Sequence, residues 1–295
     1  MQTYPKIMIV GADSLIGRTL CASFAKKNIP VYATSRRQYR DDPQVLEFDL
    51  AKPPGIWQLP IGGLDWVIFC AGITNISTCE SNPSFTRSIN VDRTIAFLEK
   101  VCVGNCQLLW FSTNMVFDGE EPFPGTIDMP NPKTEYGKQK LEVERYLLKS
   151  RIPSTVLRLT KVVNSQFPLF QKWKESLSCL VPINPFYDMT MAPVFLDRLV
   201  DLILDLLENP VMGILHYSGL TELSYADAAL LISDILRLDA SLVQPIRKPA
   251  HIWAPRFATM QNSPFCETYC DNYRDGFERL FSEGPTKTID VDSPA

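Results

Sequence analysis

Residues 6–17 read KIMIVGADSLIG, and this stretch decides the fold of the 295-residue chain. Its first five residues form a short apolar, β-rich run, and the following GADSLIG places two glycines and a serine at the spacing of a GxxGxxG turn. Glycines at this spacing let a chain turn sharply out of a strand into a helix, whose free N–H groups attract a pyrophosphate. The turn is therefore predicted to bind a dinucleotide through Gly11, Ser14, Leu15, Ile16 and Gly17.

Short apolar runs alternate with helix-like patterns over the first 160 residues. The runs are continuous rather than alternating, which is typical of parallel strands covered by helices on both faces. Apolar residues at helical spacing indicate helices at 84–103 and 136–149. This order predicts an α/β fold of the Rossmann type with a doubly wound parallel sheet, whose strands lie at 6–10, 31–35, 45–49, 66–72, 107–113 and 154–160.

The order of elements loosens after residue 160. The further predicted elements are helices at 166–178, 194–208 and 225–236, a strand at 213–219, and a proline-rich loop at 245–265. We expect a Rossmann domain and a smaller C-terminal lobe, followed by a flexible tail. The predicted boundaries are 1–160 with segments from about 186–219 for the domain, 161–185 and 220–285 for the lobe, and 286–295 for the tail.

The composition argues against several functions. The formal net charge is −4 and basic residues are spread along the chain, which gives no electrostatic footprint for nucleic acid. No apolar run is long enough for a signal peptide or a membrane span, so we expect a cytoplasmic protein with a small-molecule partner. The eight cysteines lack CxxC pairs and there are two histidines, so reduced thiols and no metal site are predicted.

The end of the second strand predicts which dinucleotide is used. An acidic residue at this place bonds the ribose 2′-hydroxyl of NAD, whereas a cation accommodates the 2′-phosphate of NADP. The chain has Ser35, Arg36 and Arg37 here, with no carboxylate among them. Because the planar guanidinium bonds two phosphate oxygens at once, we predict that Ser35 and Arg36 bind the cofactor and that NADP(H) is preferred.

A catalytic set is indicated by two segments. TEYGKQK places Tyr136 and Lys140 four residues apart, on one face of a helix. FSTNMVFDG follows the fifth strand and puts the hydroxyls of Ser112 and Thr113 at the carboxyl edge of the sheet, where ligands bind in open α/β folds. The set suits carbonyl reduction: Tyr136 donates a proton, Lys140 makes the phenol more acidic, and Thr113 holds the carbonyl oxygen.

With these residues the chain resembles the extended short-chain dehydrogenase/reductases, most closely the dTDP-4-dehydrorhamnose reductase group. The resemblance spans nearly the whole chain, and the block at 112–142 is its most diagnostic part. The segments that carry it are GADSLIG at 11–17, FDL at 48–50, CAG at 70–72, INVDRT at 89–94, STNMVFDG at 112–119, PNPKTEYGKQKLE at 130–142, VLRLT at 156–160 and APRFATMQNSPF at 254–265.

The resemblance implies roles for further residues. It implies that Thr113, Tyr136 and Lys140 form the catalytic trio and that the region after residue 160 binds a nucleotide-linked sugar. It also implies cofactor contacts near the adenine and along the dinucleotide, from Asp49, Leu50, Cys70, Ala71 and Gly72.

The sugar pocket is expected to differ from the group's usual one. Where these reductases usually read STDYVFDG, this chain has Asn114 and Met115. The residues expected to bind the substrate are Ser112, Asn114, Met115 and Arg256.

Two other functions remain open at this point. One is a non-catalytic NADP-binding regulatory subunit, because the resembled family includes the regulatory partner of methionine adenosyltransferase. The other is a nucleotide-sugar epimerase, which shares the fold but would favour a carboxylate after the second strand. A homodimer is a further expectation.

Overall fold

The main sheet is seven-stranded and parallel throughout. A computed structural model describes residues 5–37, 45–59 and 62–282. In the described chain the sheet order is β3-β2-β1-β4-β5-β6-β10, and the remaining strands form two small pairs. The strands are β1 (Ile7–Val10), β2 (Val31–Ser35), β3 (Val45–Glu47), β4 (Trp66–Phe69), β5 (Gln107–Thr113), β6 (Ser154–Leu159), β7 (Lys161–Val163), β8 (Thr190–Met191), β9 (Pro193–Phe195), β10 (Gly213–Tyr217) and β11 (Leu223–Ser224).

Helices cover both faces of this sheet, as the Rossmann-type prediction requires. None of the helices in the described ranges is long and apolar enough to cross a bilayer. The α-helices are α1 (Leu15–Lys26), α2 (Ile76–Ser81), α3 (Pro83–Arg87), α4 (Thr94–Val101), α5 (Glu135–Lys149), α6 (Pro168–Ser178), α7 (Leu196–Glu208), α8 (Tyr225–Ile235), α9 (Pro264–Glu267) and α10 (Tyr273–Ser282).

The first strand shows why the apolar runs are continuous. Ile7 and Ile9 pack into a cluster on one face of the sheet, whereas Met8 and Val10 pack into a second cluster on the other face. All four are at most 1% exposed. Successive side chains of a strand point to opposite faces, so a strand buried on both faces has no polar positions. Each such side chain contributes roughly 1.5–3 kcal/mol by burial.

The prediction of a single helix at 84–103 is wrong in one respect. The structure divides this segment into α3, a π-helical turn at Ser88–Arg93, and α4. The hydroxyl of Thr94, the first residue of α4, donates to the carbonyl of Ile89 in this turn, 3.1 Å away. The wider turn carries the Asn90 side chain, which donates to the side-chain oxygen of Gln139 on α5 at 2.8 Å. Such π-bulges are frequent at functional sites.

The C-terminal third contributes both to the sheet and to a separate cluster. β10 pairs with β6, from Gly213–Thr155 to Tyr217–Leu159, and α7 packs on the same sheet. Elsewhere α6, α8 and α10 share a third hydrophobic cluster that includes Phe170, Ile232 and Phe277. The expected division into a Rossmann domain and a C-terminal lobe stays a prediction. The expected tail at 286–295 lies outside the described residues.

Candidate active site

The glycine-rich turn packs against the end of β4, and two glycines make this possible. Gly11 has φ +83, and a Cβ there would lie 2.9 Å from the Cα of Ala71. A Cβ at Gly17 would lie 2.4 Å from the carbonyl oxygen of Gly11. Larger residues therefore fit neither position without moving the backbone, and the turn stays tight.

Ser14 replaces the middle glycine of the pattern and caps α1. Its hydroxyl accepts a hydrogen bond from the N–H of Gly17 at 3.0 Å. Within the described ranges, the N–H groups of Leu15 and Ile16 have no acceptor. A helix start with free N–H groups suits an anion, so this turn fits the pyrophosphate of a dinucleotide.

A carboxylate lies beside the end of β2 in the folded protein. It belongs to Asp13 in the glycine-rich turn after β1. The Ser35 hydroxyl donates to the carboxylate of Asp13 at 2.6 Å and accepts from the N–H of Arg37 at 3.0 Å. Arg36 and Arg37 are exposed. No carboxylate directly follows β2 in the chain, but in the fold the carboxylate of Asp13, from the turn after β1, lies beside Ser35. The signal was present in the sequence, since the turn after β1 lies next to the end of β2 in this topology.

The other predicted cofactor residues lie at the same edge of the sheet, after β3 and β4. The Asp49 carboxylate accepts from the N–H of Ala51 at 2.8 Å, and Leu50 is buried. Cys70, Ala71 and Gly72 follow β4 directly. All five therefore border the glycine-rich turn or the strand ends beside it.

The segment after β4 is held by the π-helical turn. Gly72 has φ +141, a conformation that favours glycine, and the next N–H, that of Ile73, donates to the side-chain oxygen of Asn90 at 2.7 Å. The Asn90 amide donates back to the Ile73 carbonyl at 2.9 Å. Burial raises the pKa of the Cys70 thiol, which contacts the Ser14 side chain.

Helix α5 is pressed onto the turn that follows β5. Thr134 caps the helix by accepting from the N–H of Gly137 at 3.1 Å. A Cβ at Gly137 would lie 2.2 Å from the carbonyl oxygen of Met115. This close approach places Tyr136, the residue before that glycine, beside the end of β5.

Lys140 links the same helix to β5. Its Nζ donates to the carbonyl oxygen of Phe111 at 2.8 Å and lies 4.4 Å from the centre of the Trp110 ring. Burial lowers the pKa of Lys140 to about 8, an effect that the negative charge of Glu144 partly offsets. The lysine is therefore mostly charged at neutral pH.

The Tyr136 phenol differs from the acidified group that the sequence argument expected. Burial raises the pKa of Tyr136, and the neighbouring Cys79 acts in the same direction. The phenol is therefore protonated at neutral pH. A protonated phenol is the form that donates a proton, so the arrangement suits the reductive direction.

The two hydroxyls at the end of β5 are used differently. The Thr113 hydroxyl lies at the sheet edge, where it accepts from the N–H of Met115 at 3.2 Å. The Ser112 hydroxyl donates instead to the buried carboxylate of Glu144. The expectation that Ser112 binds substrate is therefore not supported, because adjacent residues of a strand point to opposite faces.

A buried ion pair that the sequence argument missed lies behind Ser112. Arg158 on β6 and Glu144 on α5 are each 1% exposed, and their closest nitrogen and oxygen atoms are 2.6 Å apart. Arg158 also contacts the ring nitrogen of His216 at 3.1 Å. The network joins α5, β5, β6 and β10, so it fixes the helix that carries Tyr136 and Lys140.

Two of the predicted substrate residues, Asn114 and Met115, meet the loop at 253–260. The Asn114 amide donates to the carbonyl oxygen of Ala258 at 2.8 Å. Asn114 and Met115 line a cavity together with Trp253, Phe257 and Thr259.

Glu222 holds this loop, and the sequence argument missed it. One of its carboxylate oxygens accepts from the N–H groups of Ala258 and Thr259 at 2.5 and 2.7 Å, and from the Thr259 hydroxyl at 2.9 Å. The predicted Arg256 is exposed, and its guanidinium lies 5.1 Å from the centre of the Phe257 ring. The loop is thus held at its base by Glu222 and exposes the Arg256 cation.

The parallel sheet, the turn after β1 and the Tyr136–Lys140 helix beside β5 define the class of extended short-chain dehydrogenase/reductases. A family model described as the RmlD substrate binding domain matches residues 5–283. The chain belongs to this family.

Individual relatives carry different names. The probable low-salt glycan biosynthesis reductase Agl14 of Haloferax volcanii is 30% identical over 189 residues, which is 61% of this chain and 63% of that protein, less than two thirds of its length. Methionine adenosyltransferase 2 subunit beta of Danio rerio is 27% identical over 268 residues, 86% of this chain and 81% of the relative.

A solved structure with a different name shares the fold. The crystal structure of dTDP-4-dehydrorhamnose reductase from Bacillus anthracis, in complex with NADP, superposes with a TM-score of 0.82 at 17% identity and covers 96% of this chain and 100% of the other. At this identity the likeness establishes the fold.

Proposed function

We propose that this protein is an NADPH-dependent reductase of a keto group on a nucleotide-linked deoxysugar. The observation that carries the proposal is that α5, which bears Tyr136 and Lys140 one turn apart, packs at Gly137 against the carbonyl of Met115, two residues after Thr113. Ligands of open α/β sheets bind at the carboxyl edge of the sheet, where Thr113 ends β5. Membership of the RmlD family and the NADP complex of the structural neighbour support it.

Each residue of the trio has a distinct task. When bound, NADPH supplies a hydride to the carbonyl carbon. Tyr136 donates its phenolic proton to the carbonyl oxygen, and Thr113 holds that oxygen by a hydrogen bond. The Lys140 ammonium stabilises the phenolate that remains. Its bond to the Phe111 carbonyl holds it against β5, 5.9 Å from the centre of the Tyr136 ring.

The residues after Thr113 and the loop at 253–260 are the proposed place of the nucleotide-linked sugar. Asn114 and Met115 line a small cavity with Trp253 and Phe257, and Arg256 in the same loop is an exposed cation that would attract anionic oxygens. A nucleotide diphosphate carries such oxygens. The name of the Haloferax volcanii relative, a glycan biosynthesis reductase, agrees with a sugar-linked substrate.

A substrate panel tests the proposal. Purified protein is mixed with NADPH and each of several nucleotide-linked 4-keto sugars, and loss of the nicotinamide absorbance is followed. We expect turnover with at least one member and none with the free nucleotide. Absence of turnover with every member contradicts the reductase proposal.

A second candidate is a non-catalytic NADP-binding subunit. It is favoured by the Danio rerio relative, which is named as a subunit of methionine adenosyltransferase 2 and matches 86% of this chain. In that case the protein binds NADPH but does not oxidise it with any sugar. Dinucleotide binding without turnover in the panel would therefore select this candidate.

A further inference from the structure

We propose that Asp13 in the glycine-rich turn is a specificity-determining residue for the dinucleotide, which accepts the ribose 2′-hydroxyl of NADH and opposes the 2′-phosphate of NADPH. This inference rests on the proposed use of a dinucleotide at this turn. It assigns the choice of cofactor to a balance between Asp13 and Arg36 rather than to Arg36 alone.

The turn is held against the end of β2. The N–H of Gly11 donates to the Thr34 hydroxyl at 3.0 Å, and the N–H of Ala12 donates to the Thr34 carbonyl at 2.9 Å. β1 and β2 are neighbouring parallel strands, with Ile9 opposite Ala33. These contacts fix Asp13 above Ser35, at the place where ribose-binding carboxylates lie in folds of this kind.

Asp13 does not serve as the cap of α1. The cap of α1 is Ser14, whose hydroxyl accepts from the N–H of Gly17. Asp13 itself is exposed, and its bond to the Ser35 hydroxyl occupies part of its acceptor capacity. A carboxylate has about four lone-pair sites, so it can accept a ribose hydroxyl in addition to Ser35.

The charges on the two sides of this place act in opposite directions. A 2′-phosphate carries up to two negative charges, so it is repelled by the Asp13 carboxylate and attracted by the exposed Arg36 guanidinium. The hydroxyl of NADH is neutral and gains a hydrogen bond from Asp13. Substituting Asp13 with Asn or Ser removes the repulsion and replaces the charged acceptor with a weaker, neutral one, whereas substituting Arg36 removes only the attraction.

Direct binding measures this balance without any sugar substrate. Dissociation constants for NADPH and NADH are measured by nicotinamide fluorescence in the wild type, Asp13→Asn, Asp13→Ser, Arg36→Gln and the remote, exposed control Asp275→Asn. We expect both Asp13 substitutions to tighten NADPH binding about tenfold at low salt and less at high salt, because an exposed charge is screened. NADH binding should weaken, and Asp275→Asn should change neither constant.

The outcomes separate this inference from the function on which it rests. The inference is supported if, in both Asp13 variants, NADPH binding becomes tighter relative to NADH binding than in the wild type. If the wild type binds both dinucleotides and the ratio is unchanged in these variants, the inference is overturned and the reductase proposal stands. Failure of the wild type to bind either dinucleotide overturns both.

Discussion

The Lys140 ammonium nitrogen lies 5.9 Å from the centre of the Tyr136 ring. The two residues are one helical turn apart on α5, and the lysine also donates to the Phe111 carbonyl on β5. The position of this pair relative to the sheet therefore depends on how α5 is held.

The activity should depend on the charge of Lys140. Burial lowers the pKa of this lysine to about 8. Lys140 is protonated below that pH and loses its charge as the pH rises through it. If the charge stabilises the phenolate, kcat/KM with NADPH should be level near neutrality and fall above about pH 8. Lys140→Met should be weakly active without this dependence, and a wild-type profile that is level to about pH 10 would contradict the assigned role.

Gly137→Ala should reduce both stability and activity. The added Cβ would meet the Met115 carbonyl oxygen, so α5 must move away from the turn that carries Thr113. Overpacking of this kind costs about 1–3 kcal/mol of the free energy of unfolding. The matched control is Gly55→Ala, where no atom lies within 4 Å of the added Cβ and the change should stay within about 0.5 kcal/mol. Denaturant unfolding and kcat, measured for both variants, check this; equal effects would show that the close approach is unimportant.

Glu144→Gln should strongly destabilise the fold. It leaves the buried Arg158 without its counter-ion, and breaking a buried pair typically costs about 3–5 kcal/mol. The control is Glu278→Gln, which breaks a pair with Arg274 in which both side chains are more than half exposed, a change worth about 0–1 kcal/mol. Urea unfolding of the two variants gives the comparison. A loss in Glu144→Gln as small as that in the control would argue against a structural role for the buried network.

Glu222→Ala should impair substrate binding while sparing the cofactor. It removes three hydrogen bonds that hold the backbone and side chain at Ala258 and Thr259. Hydrogen bonds to a charged group are worth about 1.5–3 kcal/mol each, so a loosened loop should raise KM for the sugar at least tenfold. The dissociation constant of NADPH should not change. The exposed Glu208→Ala serves as control, and an unaltered KM in Glu222→Ala would remove the loop from the substrate site.

Much of the sheet was predictable from the sequence, because strands buried on both faces leave continuous apolar runs. All six predicted strands of the first 160 residues are confirmed, and so is the helix that carries Tyr136 and Lys140. The π-helical turn at Ser88–Arg93 was not predictable, because its apolar residues keep nearly helical spacing. The wider turn is accompanied by hydrogen bonds from the Asn90 side chain to Ile73 and Gln139, which are distant in the chain and leave no local pattern in the sequence.

The site was predicted less completely, for two physical reasons. The contact between Asp13 and Ser35 joins residues 22 apart in the chain, so a reading of the segment after β2 alone could not include it. Ser112 and Thr113 adjoin on one strand, and the alternation of side chains predicts that they face opposite sides. This alternation could have been used on the sequence, and it favours Thr113 alone as the hydroxyl that faces the substrate. A cytoplasmic location and a homodimer stay predictions.

The most direct test of the reductase account compares Tyr136→Phe with the wild type. The substitution removes the hydroxyl that donates the proton and keeps the ring, so the packing of α5 should be preserved. We expect turnover of the responsive nucleotide-linked keto sugar to fall by at least about 100-fold, the usual contribution of a general acid, with NADPH affinity within a few-fold of the wild type. A Tyr136→Phe variant that oxidises NADPH at a near-normal rate would contradict the account.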